Sequence, residues 1–136
     1  MLVERRAVTL RPSRRASRAP QEPTWLQQCD SVAPDQARDH ANGQVPVSHL
    51  CRLPGTGHFL HPDAARGWWH LHNAYEREFG TPMCVTDSYR SYDSQEQLYA
   101  VKPGLAATPG SSNHGWGLAL DLCGGVESFS SAQYGW

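Results

Sequence analysis

The sequence predicts an α+β domain, a small antiparallel sheet with helices packed on it. Two observations carry that class. Ala64, Trp68, Leu71, Tyr75 and Phe79 recur at spacings of four, three, four and four, which is one face of a helix. Two short apolar runs, residues 83–86 and 118–122, have the length and composition of strands. With 136 residues and 39% hydrophobic content, there is material for one core. Charged residues at 18%, with 12 Gly and 10 Pro, point to a compact, loop-rich domain rather than a disordered chain.

The elements follow in order. Residues 1–20 carry six arginines against Glu4, and residues 1–22 show no apolar periodicity and read as a disordered Arg-rich tail. The ordered domain, residues 23–136, begins with Trp25 and Leu26. Residues 29–51 mix Asn-Gly, Pro and polar side chains and read as loops, with one short strand at 45–47. His61-Pro62-Asp63 opens the main helix, with Pro62 in its first turn. Gly80 and Pro82 end it. Asp93 with Glu96 three residues on resembles a capping box, placing a second helix over 94–100. The Pro- and Gly-containing segment 102–110 is a loop, and 128–136 starts a further helix.

Residues 1–20 hold a net charge of +5, so the remaining six basic and twelve acidic side chains give the body −6. An acidic body argues against a nucleic-acid partner. No apolar run approaches the roughly 20 residues of a membrane span. Residues 7–10 are too short for the core of a signal peptide, so no such signal is visible. Cys29, Cys51, Cys84 and Cys123 form no CxxC pair, which argues against a structural zinc knuckle. An even count suggests two disulfides among three connectivities and an oxidising compartment. If the strands before Arg90 and around Asp121 are neighbours, Cys84 pairs with Cys123 and Cys29 with Cys51.

Two segments carry chemistry. His114 ends a loop and Asp121 lies in an apolar strand, where a carboxylate is costly unless paired or metal-bound. Imidazole nitrogen and carboxylate oxygen are both zinc donors. A spacing of seven on a straight strand would set them on opposite faces, so the turn at Gly115 and Gly117 must bring them together. Taken alone, this pair reads first as a hydrogen-bonded structural pair and only second as a metal pair. The second segment runs from Asp87 to Gln95. Arg90 offers a planar fork suited to a carboxylate or oxyanion, and its structural alternative is an ion pair with Asp87 or Asp93.

Together, Ser88-Tyr89-Arg90-Ser91 with Gln95, and Ser112-Asn113-His114-Gly115-Trp116-Gly117-Leu118-Ala119-Leu120-Asp121, resemble the D-alanyl-D-alanine carboxypeptidase family of VanY type. The resemblance runs from about Gly57 to Trp136. It implies zinc as cofactor, held by His114 and Asp121. It also implies Arg90 as the catalytic side chain that stabilises the transition state, and Ser88, Gln95 and Ser112 as substrate-binding residues. The implied partner is a peptidoglycan stem peptide ending in D-alanine, met by a monomer outside the cytoplasm. The family also uses a second His as ligand and a Glu as general base, in a Glu-x-x-His-like motif. After Asp121 this sequence holds no histidine and only Glu127 as an acid. The expectation is therefore an N-terminal portion of the family's domain, inactive as given. Two alternatives are a non-catalytic binder of wall peptides and an unrelated disulfide-stabilised extracellular module. His70 and His72 diverge on their helix, and no upstream histidine is expected to replace the missing ligand.

Overall fold

The computed structural model describes residues 21–29, 31 and 34–136, and of the side chains at 34 and 35 nothing is said. The Arg-rich tail, up to residue 20, lies outside the described residues. In chain order the elements are α1 (Thr24–Cys29), β1 (Cys51–Arg52), β2 (Phe59–Leu60), α2 (Pro62–Phe79), β3 (Cys84–Asp87), α3 (Tyr92–Val101) and β4 (Asp121–Cys123). Short 3-10 turns cover Pro34–Asp39, Val47–His49 and Asn113–Trp116. The strands form two antiparallel pairs, β1 with β2 and β3 with β4, so the class is α+β.

The main helix starts and stops where its sequence signals stand. His61 is the N-cap, with its Nδ1 accepting from the Asp63 amide at 3.2 Å, and Pro62 needs no hydrogen bond in the first turn. Gly80 closes the helix at φ 70°, in the left-handed region that glycine enters without penalty. The buried stripe is Pro62, Ala65, Trp68, Trp69 and Tyr75, with Ala64 and Phe79 half-buried against the core. Leu71, expected on that stripe, is 42% exposed. His72 takes its place, stacking on Trp68 at 4.7 Å and accepting from the Met83 amide through Nδ1 at 3.3 Å. Leu26, Cys29, Cys51, Leu53, Leu60 and Met83 complete the larger core. Ala37, Val45 and Leu50 form a smaller one, with Phe59, Tyr89 and Trp116 against it.

Four other expectations are corrected. Residues 45–47 form no strand, since Val47 enters a 3-10 turn instead. The 118–122 strand shortens to Asp121–Cys123, because the αL turn at Gly117 releases the chain too late for pairing, and Leu118 is left half exposed. α3 begins at Tyr92 and is capped by Ser91, whose Oγ accepts from the Ser94 amide at 3.2 Å, rather than by Asp93. Residues 128–136 make turns and no helix, with Ser131 Oγ accepting from the Tyr134 amide.

Both disulfides are present in the connectivity expected for neighbouring strands. Cys84 and Cys123 face each other across β3 and β4 with a Cα separation of 4.9 Å, and Cys29 bonds Cys51 at 5.4 Å. No helix among the described residues is long and apolar enough to cross a membrane. Cys84 and Cys123 lie 39 residues apart, and a cross-link over a loop of that size is worth about 2–4 kcal/mol through the unfolded chain. The double variant Cys84→Ser/Cys123→Ser should lose about that much stability, read as a lower urea midpoint with unchanged far-UV dichroism. Burial also pushes the Tyr89 phenol above its ordinary pKa of 10.0, against a smaller downward pull from a backbone hydrogen bond at Val45. A raised phenol stabilises the fold fully below about pH 10, and this contribution is lost as pH rises through the folded value. Tyr89→Phe should therefore flatten the alkaline fall in the urea midpoint. An equally steep fall in the variant would show that Tyr89 does not cause it.

Candidate metal centre

The β3–β4 ladder builds the site. Its register pairs Cys84 with Cys123 and Val85 with Leu122, then shifts, so that Asp87 stands opposite Asp121. Two carboxylates facing each other across strands repel unless a cation lies between them. His114 comes to the same place from the 3-10 turn that precedes Gly117. One ligating atom from each of Asp87, His114 and Asp121 lies within 4.8 Å of the others, which makes this a candidate metal group among the described residues.

The donor set fits zinc in geometry and in tautomer. His114 Nε2 lies 3.5 Å from Asp121 Oδ1. Tetrahedral zinc donors at bonds of about 2.0–2.2 Å sit roughly 3.3–3.6 Å apart. On the other side of the ring, His114 Nδ1 is 2.7 Å from the Ser88 carbonyl oxygen, which can only accept. Nδ1 therefore carries a proton, so in the neutral ring the Nε2 lone pair faces the carboxylates, as a metal-ligating histidine requires. His114 is 14% exposed at its side chain and Asp121 54%, so the group opens to solvent on the Asp121 side.

Arg90 is the cation between the carboxylates. Its Nε donates to Asp87 Oδ2 at 2.9 Å, its Nη2 pairs with the same oxygen, and Nη2 reaches Asp121 Oδ2 at 3.4 Å. Nη1 donates to Gln95 Oε1 at 2.7 Å. The ion pair with Asp87, read from the sequence as the structural alternative, thus forms beside the metal group, while Asp93 takes no part in it. Asp87 Oδ1 accepts in turn from the Ser88 amide at 2.9 Å.

Ser88, Gln95 and Ser112 all lie at the site but turn inward. Ser88 is 2% exposed, and its Oγ accepts from the Phe59 amide at 3.1 Å and meets His58 Nδ1 at 3.1 Å. Gln95 is 3% exposed and donates Nε2 to the Ala107 carbonyl at 2.7 Å while holding Arg90. Ser112 caps the His114 turn, its Oγ accepting from the His114 amide at 3.2 Å. Of the six upstream histidines, none joins the metal group among the described residues.

Sequence reading missed two contributors. From the sequence Asp87 stands out only as a partner for Arg90; its place at the end of an apolar strand, like that of Asp121, is the available signal. The other is Asn42-Gly43. Asn42 donates to the Ser112 carbonyl at 2.8 Å, and Gly43 donates its amide to Gly115 O while accepting from the Tyr92 amide. Asn-Gly signals a turn, and nothing in it indicates a partner seventy residues away.

The family model for VanY, D-alanyl-D-alanine carboxypeptidase, matches residues 57–134, more than half of the chain. The chain belongs to that family. No solved structure matches it.

A Cβ on Gly115 would meet Asn42 Oδ1 at 2.0 Å. Gly117, at φ 68°, would bring one to 2.7 Å from the His61 amide, which it already binds through its carbonyl. Gly115→Ala should thus cost about 1–3 kcal/mol as an overpacking change, read in urea unfolding. Pairing it with Asn42→Ala, which removes the clashing oxygen, should recover part of that loss. A double variant no more stable than Gly115→Ala would show that the contact does not set the cost.

Proposed function

We propose that this member of the D-alanyl-D-alanine carboxypeptidase family is a zinc-dependent peptidase-type domain that handles the D-alanyl-D-alanine ends of peptidoglycan stem peptides. The observation that carries the reading is the His114 ring, proton on Nδ1 toward Ser88 and lone pair 3.5 Å from Asp121 Oδ1. His114 and Asp121 hold the metal, and Asp87 is the third donor in reach. Zinc, when bound there, supplies a Lewis acid for the scissile carbonyl and for the attacking water. Arg90 stands beside it to place an N–H on the oxygen where negative charge develops. Gln95 and Asp87 hold the guanidinium in that orientation. Ser88 and Ser112 act at the substrate site through the histidine, one by its carbonyl and one by its cap. The two disulfides support a working place outside the cytoplasm.

The acids in these residues are already committed. Asp87 is bound by Arg90 and Ser88, and Glu127, the only acid after Asp121, accepts from the Gly125 amide at 2.9 Å. A positioned general base is worth about 10²–10⁴ in rate. With these two acids engaged, release of D-alanine by residues 1–136 is expected to be slow, and a variant that adds a Glu-x-x-His-like motif should raise it.

Titration calorimetry should find one zinc per chain. His114→Ala and Asp121→Asn should each weaken it by about tenfold or more, since each removes a ligand rather than a supporting partner. An N-acetylated D-alanyl-D-alanine peptide should bind the zinc-loaded chain and release no measurable D-alanine. Zinc uptake untouched by both substitutions would remove the basis of this reading, and clear D-alanine release would show that a base has been overlooked.

A further inference from the structure

The geometry points to Lys102 as the residue that selects a free carboxylate at the end of the ligand, an inference that rests on the peptide-binding reading above. A cleft of about 320 Å³ opens beside the metal group. Asp87, Arg90 and Asp121 form one side, and Leu98, Leu105, Ala106 and Lys102 line the rest. That volume is at the low end of small-ligand sites, about 300–1,000 Å³, and suits a short peptide end. A peptidase that removes a terminal residue must fix the terminal carboxylate one residue beyond the scissile carbonyl. A cation in the same cleft as the metal, but off it, is what that task requires.

Arg90 is poorly placed for it. A guanidinium has five N–H groups. Its Nε, its Nη2 in two directions and one N–H of Nη1 are committed to Asp87, Asp121 and Gln95. What remains is a single N–H on Nη1, enough for a carbonyl oxygen and too little for the paired hydrogen bonds of a carboxylate. Arg90 also already neutralises two acids, so it offers little net positive charge to a third. Lys102 differs on both counts. No ion pair engages its ammonium among the described residues, and its side chain is exposed. Its backbone is nevertheless fixed: its amide donates to Leu98 O at 2.9 Å, and its carbonyl accepts from Leu105 and Ala106 at 3.1 and 2.9 Å. The C-cap position of α3 thus places Lys102 among the residues that line the cleft. Leu98 and Ala106 beside it suit a small apolar side chain such as that of alanine.

The test compares binding of an N-acetylated D-alanyl-D-alanine peptide with its C-terminal amide, by calorimetry on the zinc-loaded chain. The wild type should prefer the free carboxylate by about tenfold, the scale of one charge-assisted hydrogen bond. Lys102→Met should bind both peptides alike, with zinc affinity unchanged, and Lys102→Arg should keep the preference. A preference retained in Lys102→Met overturns the assignment, as does one lost in Arg90→Gln while Lys102→Met keeps it. If neither peptide binds the wild type although zinc does, the peptide-binding reading falls and this inference with it. An unchanged thermal midpoint in Lys102→Met confirms that any loss is not one of folding, since an exposed side chain is replaced.

Discussion

Two aspartates stand opposite each other where β3 meets β4, and the protein around them is organised by the need to neutralise that pair. The ladder that places them is short, and the Cys84–Cys123 bond closes its far end. Left alone, two carboxylates on facing strand positions repel each other. Arg90 meets the demand from within the chain, and His114 brings its Nε2 to the same point. A divalent cation fits because the site is built around surplus negative charge that one guanidinium does not fully offset.

The positioning is mostly backbone work. His114 is oriented by the Ser88 carbonyl, Arg90 donates its amide to the His114 carbonyl at 3.0 Å, and Tyr89 donates its own to Phe59 O at 2.9 Å. Three consecutive residues, 88–90, thereby join the histidine turn to β2 as well as to β3. Ser88 shows the economy of the arrangement: its amide, hydroxyl and carbonyl each hold a different neighbour, respectively Asp87, the β2 edge and His114. Such a residue has no polar group left over for a ligand.

The parts legible in the sequence were those governed by local rules. α2 was readable because a 3.6-residue period, a Pro in the first turn and a Gly at the end all agree, and only Leu71 departed, displaced by a histidine with both an aromatic and a hydrogen-bonding partner. The convergence of His114 and Asp121 was legible as a requirement, since a straight strand could not achieve it. Asp87 as a third donor was not, because it depends on a register shift between Val85 and Asp87 that no local pattern announces. The inward turn of Ser88, Gln95 and Ser112 was hidden for a related reason. Whether a polar side chain faces a ligand or the scaffold is decided by which distant backbone groups lack partners, and that accounting exists only once the fold does.

The Asn42-Gly43 turn carries a consequence for where this domain begins. It lies before the stretch that the family shares, yet it hydrogen-bonds the Ser112 and Gly115 carbonyls around His114 and receives the Tyr92 amide at the start of α3. The Cys29–Cys51 bond secures the segment that bears it. Boundaries drawn from shared sequence would cut between the His114 turn and its support. The heritable unit and the mechanical unit are different lengths of chain here. A graft of the shared portion onto another scaffold would carry the chemistry's residues while leaving behind the buttress that keeps them in place.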